Sequence, residues 1–355
     1  LSTSNSQKSN ANTVGAIVGT GSENTNTNYS VTICTANNLY ITAYSSVGGI
    51  AGRLMTGAKV ENCVVNNTNV IADMIAEYAD TGKESAAGAV VGDNRPNADL
   101  SSNTTNNVTV NVYTVENNIA TVGTANGVNY ALSQGYTTVF AEDVAAPLAN
   151  SAIYGTPVAV VMKEGGVLDG NGFSLDIENP QYNGYAVETY GGTIKNLTID
   201  TPVGRGIVIS SPKQDIYIDN VVVDGPGYAI NTTEHNGKNL IVTNSTVKGW
   251  TSLAGLDAVS FTKCNFGENS SKYWQNNGYD QDYDRLIRPY VSTTFTECVF
   301  EKGYYLDLSA LAANAKITLK DCVCGEVEIT AENYNTYISV ELPANRTLTD
   351  CVAFE

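Results

Sequence analysis

The residues best suited to chemistry lie in one polar and aromatic stretch, residues 270–284. It carries four large aromatic side chains, Tyr273, Trp274, Tyr279 and Tyr283, within eleven residues. Tyrosine and tryptophan present broad ring faces that can stack on sugar rings, and nearby Asp and Asn side chains can bond sugar hydroxyls. The stretch therefore predicts carbohydrate contact. The alternative interpretation is a loop whose aromatic side chains pack only on one another.

Three charged residues further along the chain are predicted to stand in one outward row. Aligning the strand around Ile287 with the next two strands places Arg288, Asp307 and Glu328 at equivalent positions. Two carboxylates one strand apart would suit the ~5 Å separation of a retaining glycosidase. A surface row of alternating charge, which contributes little to stability, is the other interpretation. Arg288 and Asp307 are the candidates for polar contacts beside the aromatic stretch.

Motifs for catalysis and metal binding are not recognised. Asp280, Asp282 and Asp284 alternate as in some calcium loops, but the Gly and Glu positions of an EF-hand hold other residues. A looser calcium site stays open. The single histidine, His235, stands in a turn-like sequence without a nucleophile constellation around it. We expect no metal and no cofactor, and the interpretation leans against an enzyme.

A repeated six-residue pattern would position these residues. It begins at Ile194, Ile218 and Val242, which gives a period of 24 residues, and it alternates apolar and polar residues with Asn in third place. Such a period, with short alternating segments separated by turn residues, predicts an all-β solenoid of stacked coils. Further copies begin at Val31, Val60, Phe261, Phe295, Leu319 and Leu348.

The third and fourth places of the pattern predict two ladders. Strands in neighbouring coils lie ~4.8 Å apart, so equivalent side chains stack. Asn tolerates a left-handed bend, and its amide can bond the Asn above and below. We expect inward rungs at Asn62, Asn196, Asn220 and Asn244, with Asn220 buried. Cysteines in fourth place would fill the core, and all seven, an odd number, are expected as reduced thiols.

This pattern resembles the right-handed parallel β-helix of the pectin-lyase-like superfamily, over roughly residues 120–355. In that superfamily an Asn at the bend before the third strand commonly forms a ladder, and residues 166–175 look like an early coil. The resemblance implies that residues 270–284, which lead into a first strand near Leu286, stand where loops wall a substrate groove. It does not imply an activity, because the architecture hosts enzymes, adhesins and spacers, and the motifs of polygalacturonases and pectate lyases are not found.

The N-terminal third carries a glycine motif three times, at residues 14–19, 47–52 and 87–92. The motif resembles the short GLUG-type repeats of bacterial surface proteins, which implies an exported and often adhesive context. Its glycines are expected to allow close backbone approach and positive φ at the bends. A ladder-like segment with a pair of asparagines follows each copy, and the three pairs are Asn37-Asn38, Asn66-Asn67 and Asn106-Asn107.

The period breaks between residues 114 and 164. A short helix is predicted from Ala125 to Gln134, ended by Gly135 and followed by a strand from Thr137 to Phe140. A helix at this place would cover the open strand edges of a second stack. We therefore expect two domains, glycine-motif coils over residues 1–113 and a parallel β-helix with an N-terminal cap over residues 114–355. One continuous solenoid with an insertion is the alternative.

Composition limits the partners. Only 15% of the residues are charged, yet the net charge is −17 and the pI about 4.4, which disfavours nucleic acid or an anionic membrane as a partner. The chain begins with Leu1 and has no signal peptide or membrane-spanning run, so we expect a processed piece of an exported protein, extracellular or on the outer surface of a bacterium. The expected function is adhesion or carbohydrate binding by a monomer, with host or cell-surface polysaccharide as partner. A divergent polysaccharide lyase or glycoside hydrolase and a passive structural stalk are the alternatives.

Overall fold

A computed structural model describes residues 13–19, 29–43, 46–54, 57–72, 86–94, 98–112, 114–123, 125–150, 157–178, 180–225, 227–233, 237–279 and 283–355. The chain is all-β, with 52% strand and 8% helix, and its large sheets are parallel and curled. It divides into two compact units, residues 1–130 (unit 1) and 131–355 (unit 2). Among the described residues, no helix is long and apolar enough to cross a membrane.

The strands of unit 1 are β1 (Thr13–Gly15), β2 (Ser30–Thr32), β3 (Thr35–Asn37), β4 (Tyr40–Ala43), β5 (Ser46–Gly48), β6 (Ala51–Arg53), β7 (Lys59–Glu61), β8 (Val64–Ala72), β9 (Ala86–Gly88), β10 (Val91–Asp93), β11 (Thr104–Val112), β12 (Thr114–Glu116) and β13 (Ile119–Val122). Helix α1 (Ala125–Gln134) contains the division between the units.

The strands of unit 2 are β14 (Thr137–Phe140), β15 (Val144–Pro147), β16 (Ala149–Asn150), β17 (Pro157–Met162), β18 (Gly166–Asp169), β19 (Ser174–Glu178), β20 (Tyr185–Thr189), β21 (Gly192–Asp200), β22 (Arg205–Ile209), β23 (Ile216–Asp224), β24 (Tyr228–Thr232), β25 (Asn239–Thr243), β26 (Thr246–Lys248), β27 (Thr251–Leu253), β28 (Ala258–Thr262), β29 (Asn265–Gly267), β30 (Leu286–Pro289), β31 (Thr293–Thr296), β32 (Val299–Phe300), β33 (Tyr304–Asp307), β34 (Ile317–Lys320), β35 (Val323–Cys324), β36 (Val327–Glu328), β37 (Ile338–Glu341) and β38 (Val352–Phe354). Its short helices are α2 (Tyr273–Asn276), α3 (Tyr334–Tyr337) and α4 (Leu348–Cys351), and a 3-10 turn covers Tyr283–Arg285.

The three glycine motifs of unit 1 lie in register. Strands β1, β5 and β9 pair in parallel, which aligns Gly15 with Gly48 and Gly48 with Gly88. A Cβ atom at Gly48 would stand 2.1 Å from the carbonyl oxygen of Ala51, and one at Gly88 would stand 1.9 Å from that of Val91. The predicted close backbone approach is therefore confirmed. The predicted positive φ is wrong for Gly15, Gly48 and Gly88, which lie outside that region.

The paired asparagines of unit 1 form two ladders that run along its surface. In the first ladder the side-chain amide of Asn106 donates to Asn66 at 2.8 Å, and that of Asn66 donates to Asn37 at 2.7 Å. In the second, Asn107 donates to Asn67 at 3.0 Å, and Asn67 donates to Asn38 at 3.2 Å. The three asparagines of the second ladder all have a left-handed backbone conformation, with φ between 46° and 53°. The core of the unit lies behind them and includes Val31 and Val60, which pair in register as predicted.

Unit 2 repeats in parallel with the predicted period. The strand β21 pairs with β23, and β23 with β25, so that Ile194, Ile218 and Val242 align. These strands belong to one long sheet. A second sheet of nine described strands runs in the order β16-β17-β20-β22-β24-β27-β30-β33-β37. Residues 166–175 occupy the preceding repeat, with Leu168 opposite Ile194, as the resemblance implied.

The asparagine positions of unit 2 are left-handed bends, as predicted. The φ angles of Asn196, Asn220 and Asn244 are 50°, 53° and 52°. Asn220 donates to Asn196 at 2.9 Å, but Asn244 donates to Asp219 at 2.8 Å, so this ladder has fewer asparagine rungs than expected. The same bend persists without asparagine at Lys263, Glu297 and Asp321, with φ of 54°, 52° and 52°.

The predicted inward direction of the asparagines is wrong. Asn62, Asn220 and Asn244 are exposed and Asn196 is half-buried, because a left-handed residue at the corner turns its side chain away from the core. Leu197 and Ile199, which follow the bend in β21, fill the core as predicted. The bend and the core positions are thus confirmed, and the burial of Asn220 is not.

The cysteines stack as predicted. All seven are free thiols, six are buried, and Cys34 is half-buried. Cys264, Cys298 and Cys322 occupy consecutive repeats, and each thiol contacts a backbone carbonyl of the preceding repeat at 3.4 to 3.5 Å. The last predicted copy of the pattern, residues 348–353, is wrong. Asp350 and Thr347 form a capping box that starts α4, and the strand β38 begins only at Val352.

The break in the period follows the prediction at the level of elements. Helix α1 spans Ala125–Gln134, Gly135 ends it with a φ of 81°, and β14 covers Thr137–Phe140. The division into compact units falls inside α1, later than the predicted boundary at residue 113. The assignment of residues 1–113 and 114–355 as domains stays a prediction.

Candidate functional site

Two buried aspartates organise the described residues between β29 and β30: Asp224 of β23 bonds the start of this segment, and Asp284 bonds α2 within the segment itself. Asp224, at the end of β23, accepts hydrogen bonds from the side chain of Asn269 and from the backbone and hydroxyl of Ser270 at 2.5 to 3.1 Å. Asp284 is fully buried and accepts from the backbone amides of Trp274 and Gln275 at 3.1 and 2.9 Å. This long segment between β29 and β30 is thus fixed by charged acceptors at both ends.

Glu268 ties the outer surface of the same segment together. Its carboxylate lies 2.8 Å from the Lys272 ammonium and 3.3 Å from the Arg285 guanidinium, and it accepts from Gln275 at 2.6 Å. Partial burial would raise the pKa of Glu268, but the bonds from Lys272 and Gln275 outweigh it and hold the pKa below its ordinary value. Glu268 is therefore ionised near neutral pH and can keep its contacts with Lys272, Gln275 and Arg285.

Trp274 is the centre of an aromatic cluster, which we define as Tyr182, Tyr228, Trp250, Tyr273, Trp274, Tyr279 and Tyr283. Its ring lies 4.7 Å from Tyr279 and 5.0 Å from Tyr283, and it meets Tyr182 and Trp250 edge-on at 5.8 Å. It is only 4% exposed. The predicted loop aromatics do come together, but Trp274 supports the cluster from within and does not present a free face.

The exposed edge of the cluster is formed by other rings. Tyr279 is 53% exposed and Tyr182 is 39% exposed. Tyr182 stacks on Tyr273 at 5.8 Å with an interplanar angle of 23°. These tyrosines, and not Trp274, offer faces that a ligand can reach.

The predicted charged pair lies beside the cluster. The Arg288 guanidinium donates from Nε to Asp307 at 2.5 Å, and it also lies 5.6 Å from the ring centroid of Trp250. Asp307 is 1% exposed and accepts two further bonds, from the backbone and hydroxyl of Ser309. All six site residues predicted from the sequence are therefore brought together, with Trp250 linking the aromatic side to the charged side.

The prediction that Glu328 stands in one row with Arg288 and Asp307 is wrong. Glu328 belongs to β36, which pairs antiparallel with β35 in the long sheet. The residue beside Asp307 is Glu341 of β37, because an excursion through α3 separates β33 from its partner strand. Glu341 accepts a hydrogen bond from the Tyr305 hydroxyl. Partial burial, followed by this bond, raises the pKa of Tyr305.

The row that contains Arg288 and Asp307 continues along the nine-stranded sheet. In register it runs through Glu188, Val208, Asn231, Ser252, Arg288, Asp307 and Glu341. The neighbouring row, which includes Ile207, Ile230 and Ile287, points to the opposite face and fills the core. We call the first row the polar row. Its members Glu188, Asn231 and Asp307 are buried although they stand on the outer face, so surrounding side chains cover these positions, while Glu341 at the end of the row is exposed.

Sequence reasoning missed one side of this site. Tyr185, Arg205 and Tyr228 align on three consecutive strands, and the Arg205 guanidinium lies 5.3 and 4.9 Å from the two tyrosine ring centroids. Trp250 stacks on Tyr228 with centroids 4.3 Å apart. The available signal was the repeat itself, since these residues recur close to one period apart at the start of the same sheet.

The possible calcium and histidine sites gain no support. Asp280, Asp282 and His235 lie outside the described residues, and Asp284 accepts backbone amides. No group of three His, Cys, Asp or Glu side chains within the described part of the chain could hold a metal ion.

The chain matches no protein-family model, and it matches neither a curated protein nor a solved structure.

Proposed function

We propose that this chain is a carbohydrate-binding protein exported to a bacterial cell surface, and that unit 2 is a right-handed parallel β-helix of the pectin-lyase-like type. The GLUG-like glycine motifs of unit 1 support the surface location. The acidic composition and the repeated strand pattern also support it. The ligand-binding face is the outer face of the nine-stranded sheet beside residues 268–285. The protein would act as an adhesin, as a monomer displayed in many copies.

The observation that carries this proposal is the concentration of aromatic rings on that one face. Tyr182 and Tyr279 are exposed and Tyr273 is half-buried, and all three rings contact the buried ring of Trp274. A pre-arranged set of rings loses little entropy when it binds. Stacking each sugar on a ring contributes on the order of 1 kcal/mol, so single-site affinity is weak and useful adhesion needs several copies.

The test is binding of the multimerised full chain to a glycan array. Tyr182→Ala and Tyr279→Ala should each weaken binding several-fold, because both rings are exposed in the cluster. Tyr217→Ala is the matched control, since Tyr217 is 47% exposed but belongs to β23 of the long sheet. An equal loss in all three variants places the site elsewhere. No binding to any glycan would leave the passive stalk as the better proposal.

The alternative function is cleavage of a polysaccharide by a lyase or glycoside hydrolase. The observation that favours it is the position of Asp307 and Glu341 on adjacent strands of the polar row, at the ~5 Å strand spacing that suits a retaining pair. Against it, Asp307 is already bonded by Arg288 and Ser309. Release of reducing ends or unsaturated uronates from acidic and neutral polysaccharides, lost in Asp307→Asn, would establish this alternative.

A further inference from the structure

Arg205 differs from the other arginines of unit 2. Arg288 pairs with Asp307, Arg285 pairs with Glu268, and Arg346 donates to three backbone carbonyls. The Arg205 guanidinium has no carboxylate and no hydrogen-bond acceptor among the described residues. Its contacts there are the two tyrosine rings of Tyr185 and Tyr228. Five strong donors on a fixed, half-buried cation are thus left unused.

The rings around Arg205 do not neutralise it. Burial raises the pKa of Tyr228 and of Tyr182, although Arg205 itself acts in the other direction. Both phenols are therefore neutral near pH 7. They restrain the guanidinium sterically and through their π faces, and they leave its full positive charge for a ligand.

A second observation, on the strand that carries Tyr228 and directly before the next strand of the same sheet, points to a ligand. Asn231 is 5% exposed, and its side-chain oxygen has no hydrogen-bond partner. The indole nitrogen of Trp250, which stacks on Tyr228, is buried and also without a partner. Buried polar atoms are rarely left unsatisfied. Among the described residues, the indole nitrogen of Trp250 is therefore a free donor on the ring stacked against Tyr228. The side-chain oxygen of Asn231 is a free acceptor three residues after Tyr228 on β24. Both suit groups such as sugar hydroxyls.

The surrounding charge limits how anionic the ligand can be. The chain carries a net charge of −17, and the polar row contributes Glu188, Asp307 and Glu341 to this face. A polyanion would be repelled by Glu188 and Glu341, because Asp307 is paired with Arg288 and, among the described residues of the nine-stranded sheet, Arg205 is the arginine without a carboxylate partner. A glycan with a single acid group on an otherwise neutral stretch avoids this repulsion.

We infer that the protein selects a mostly neutral glycan bearing isolated anionic groups, a carboxylate or a sulfate ester, and that Arg205 binds that group. This inference rests on the proposed carbohydrate-binding function. The charged group lies against the guanidinium in a charge-assisted, bidentate contact. The neutral sugars on either side stack on the aromatic cluster.

The experiment measures binding of four probes to the full chain by ligand-observed NMR or calorimetry. The probes are methyl glucoside, methyl glucuronoside, glucose 6-sulfate and polygalacturonate. The wild type should bind one or both singly charged sugars about ten-fold more tightly than methyl glucoside. Polygalacturonate should bind no more tightly per sugar than methyl glucuronoside. The glucuronoside and sulfate arms distinguish the two sources of charge.

Variants place the effect at Arg205. Arg205→Gln should abolish the preference, so that the charged sugars bind no more tightly than methyl glucoside. Arg205→Lys should keep part of the preference, which also checks that the fold survives substitution. Arg288→Gln removes the guanidinium that is already paired, and it is a less direct control because it also leaves the Asp307 carboxylate without its ion-pair partner.

The outcomes separate this inference from the proposed function. Equal binding of neutral and charged sugars, with tyrosine variants still weakened, overturns the inference and leaves carbohydrate binding in place. A charge preference that Arg205→Gln does not change also overturns it, as does preferential binding of polygalacturonate. Failure to bind any sugar, on the array or in solution, overturns both.

Discussion

Replacing Asn220 tests the feature that most strongly defines unit 2, the left-handed corner between two strand segments. Asn220 is exposed, has a φ of 53°, and donates one side-chain hydrogen bond to Asn196 at 2.9 Å. In Asn220→Ala the bond is lost and a residue with a Cβ atom but no polar side chain must hold the left-handed conformation. Asn220→Gly loses the same bond but removes the steric cost of that conformation.

The expected magnitudes follow from these two contributions. A solvent-accessible hydrogen bond contributes about 0.5–1 kcal/mol, and left-handed backbone costs an ordinary residue about 1–2 kcal/mol. Asn220→Ala should therefore lower the free energy of unfolding by about 2 kcal/mol. Asn220→Gly should cost about 1 kcal/mol, since glycine adds freedom to the unfolded chain while relieving the bend. For a unit of this size the alanine variant should melt about 4–8 °C lower.

The assay is urea unfolding followed by circular dichroism and by tryptophan fluorescence, with thermal melts in parallel. The diagnostic result is the order of the variants, because at an ordinary exposed strand position alanine is more stable than glycine. If Asn220→Ala is as stable as Asn220→Gly or more stable, the backbone at residue 220 is not held in the left-handed conformation. If neither variant lowers the free energy of unfolding, the hydrogen bond to Asn196 does not contribute to stability either.

Four further outcomes are expected. Lys263→Asn should raise the free energy of unfolding by about 0.5–1 kcal/mol, because asparagine tolerates the left-handed bend at this position and the substitution removes only an exposed ion pair with Glu297. Urea midpoints check this, and a destabilised variant would contradict it. Thiol titration without reductant should recover all seven cysteines in denaturant and only Cys34 rapidly in the folded protein; recovery of five or fewer would show a disulfide. Asp284→Ala should cost about 2–4 kcal/mol by orphaning two backbone amides, and Asp284→Asn less; equal melting of both variants and wild type would refute this. Hydrogen bonds from Thr243 and Asn244 lower the pKa of Asp219. The ionised Asp219 therefore stabilises the folded state fully above the ordinary carboxyl pKa, and this stabilisation is lost as the pH falls through the lowered pKa. Between about pH 6 and about pH 3, the urea midpoint should fall less in Asp219→Asn than in wild type.

The repeat could be predicted from the sequence because its determinants are local. A bend residue such as Asn220, followed by alternating core positions, has the same meaning in every copy, and the period sets the register directly. The side-chain direction at the bend could not be derived in the same way. Stacked amides satisfy one another equally well inside or outside the solenoid, and only the corner geometry decides that Asn220 faces solvent.

The last repeats were harder because their lengths vary. Alignment by a constant period pointed to Glu328 as the neighbour of Asp307, whereas the register pairs Asp307 with Glu341. The intervening chain makes a hairpin and the helix α3 before it returns to the nine-stranded sheet. Periodicity loses its predictive value where insertions separate paired strands.

The composition of the aromatic stretch identified its general place but not the role of each ring. Trp274 is the largest side chain in the stretch and was expected to be its contact surface. The bonds that Asp284 accepts from the backbone of α2 turn that ring inward. The burial of that ring also needs Tyr182 and Trp250, which lie in other repeats and cannot be identified from residues 270–284 alone.

This distribution along the chain constrains what the face can recognise. From Tyr185 on β20 to Asp307 on β33 the nine-stranded sheet advances five strand spacings, or about 24 Å at ~4.8 Å each. Arg205 on β22 and Arg288 on β30 lie three strand spacings apart, or about 14 Å, which is more than a single sugar ring spans. Under the proposed function, each repeat would supply one or two contacts to an extended chain of sugars, and no single contact would be strong. The bonds of Asp224 to Asn269 and Ser270 then become part of recognition, since weak contacts add up only when the protein side is ordered before the ligand arrives.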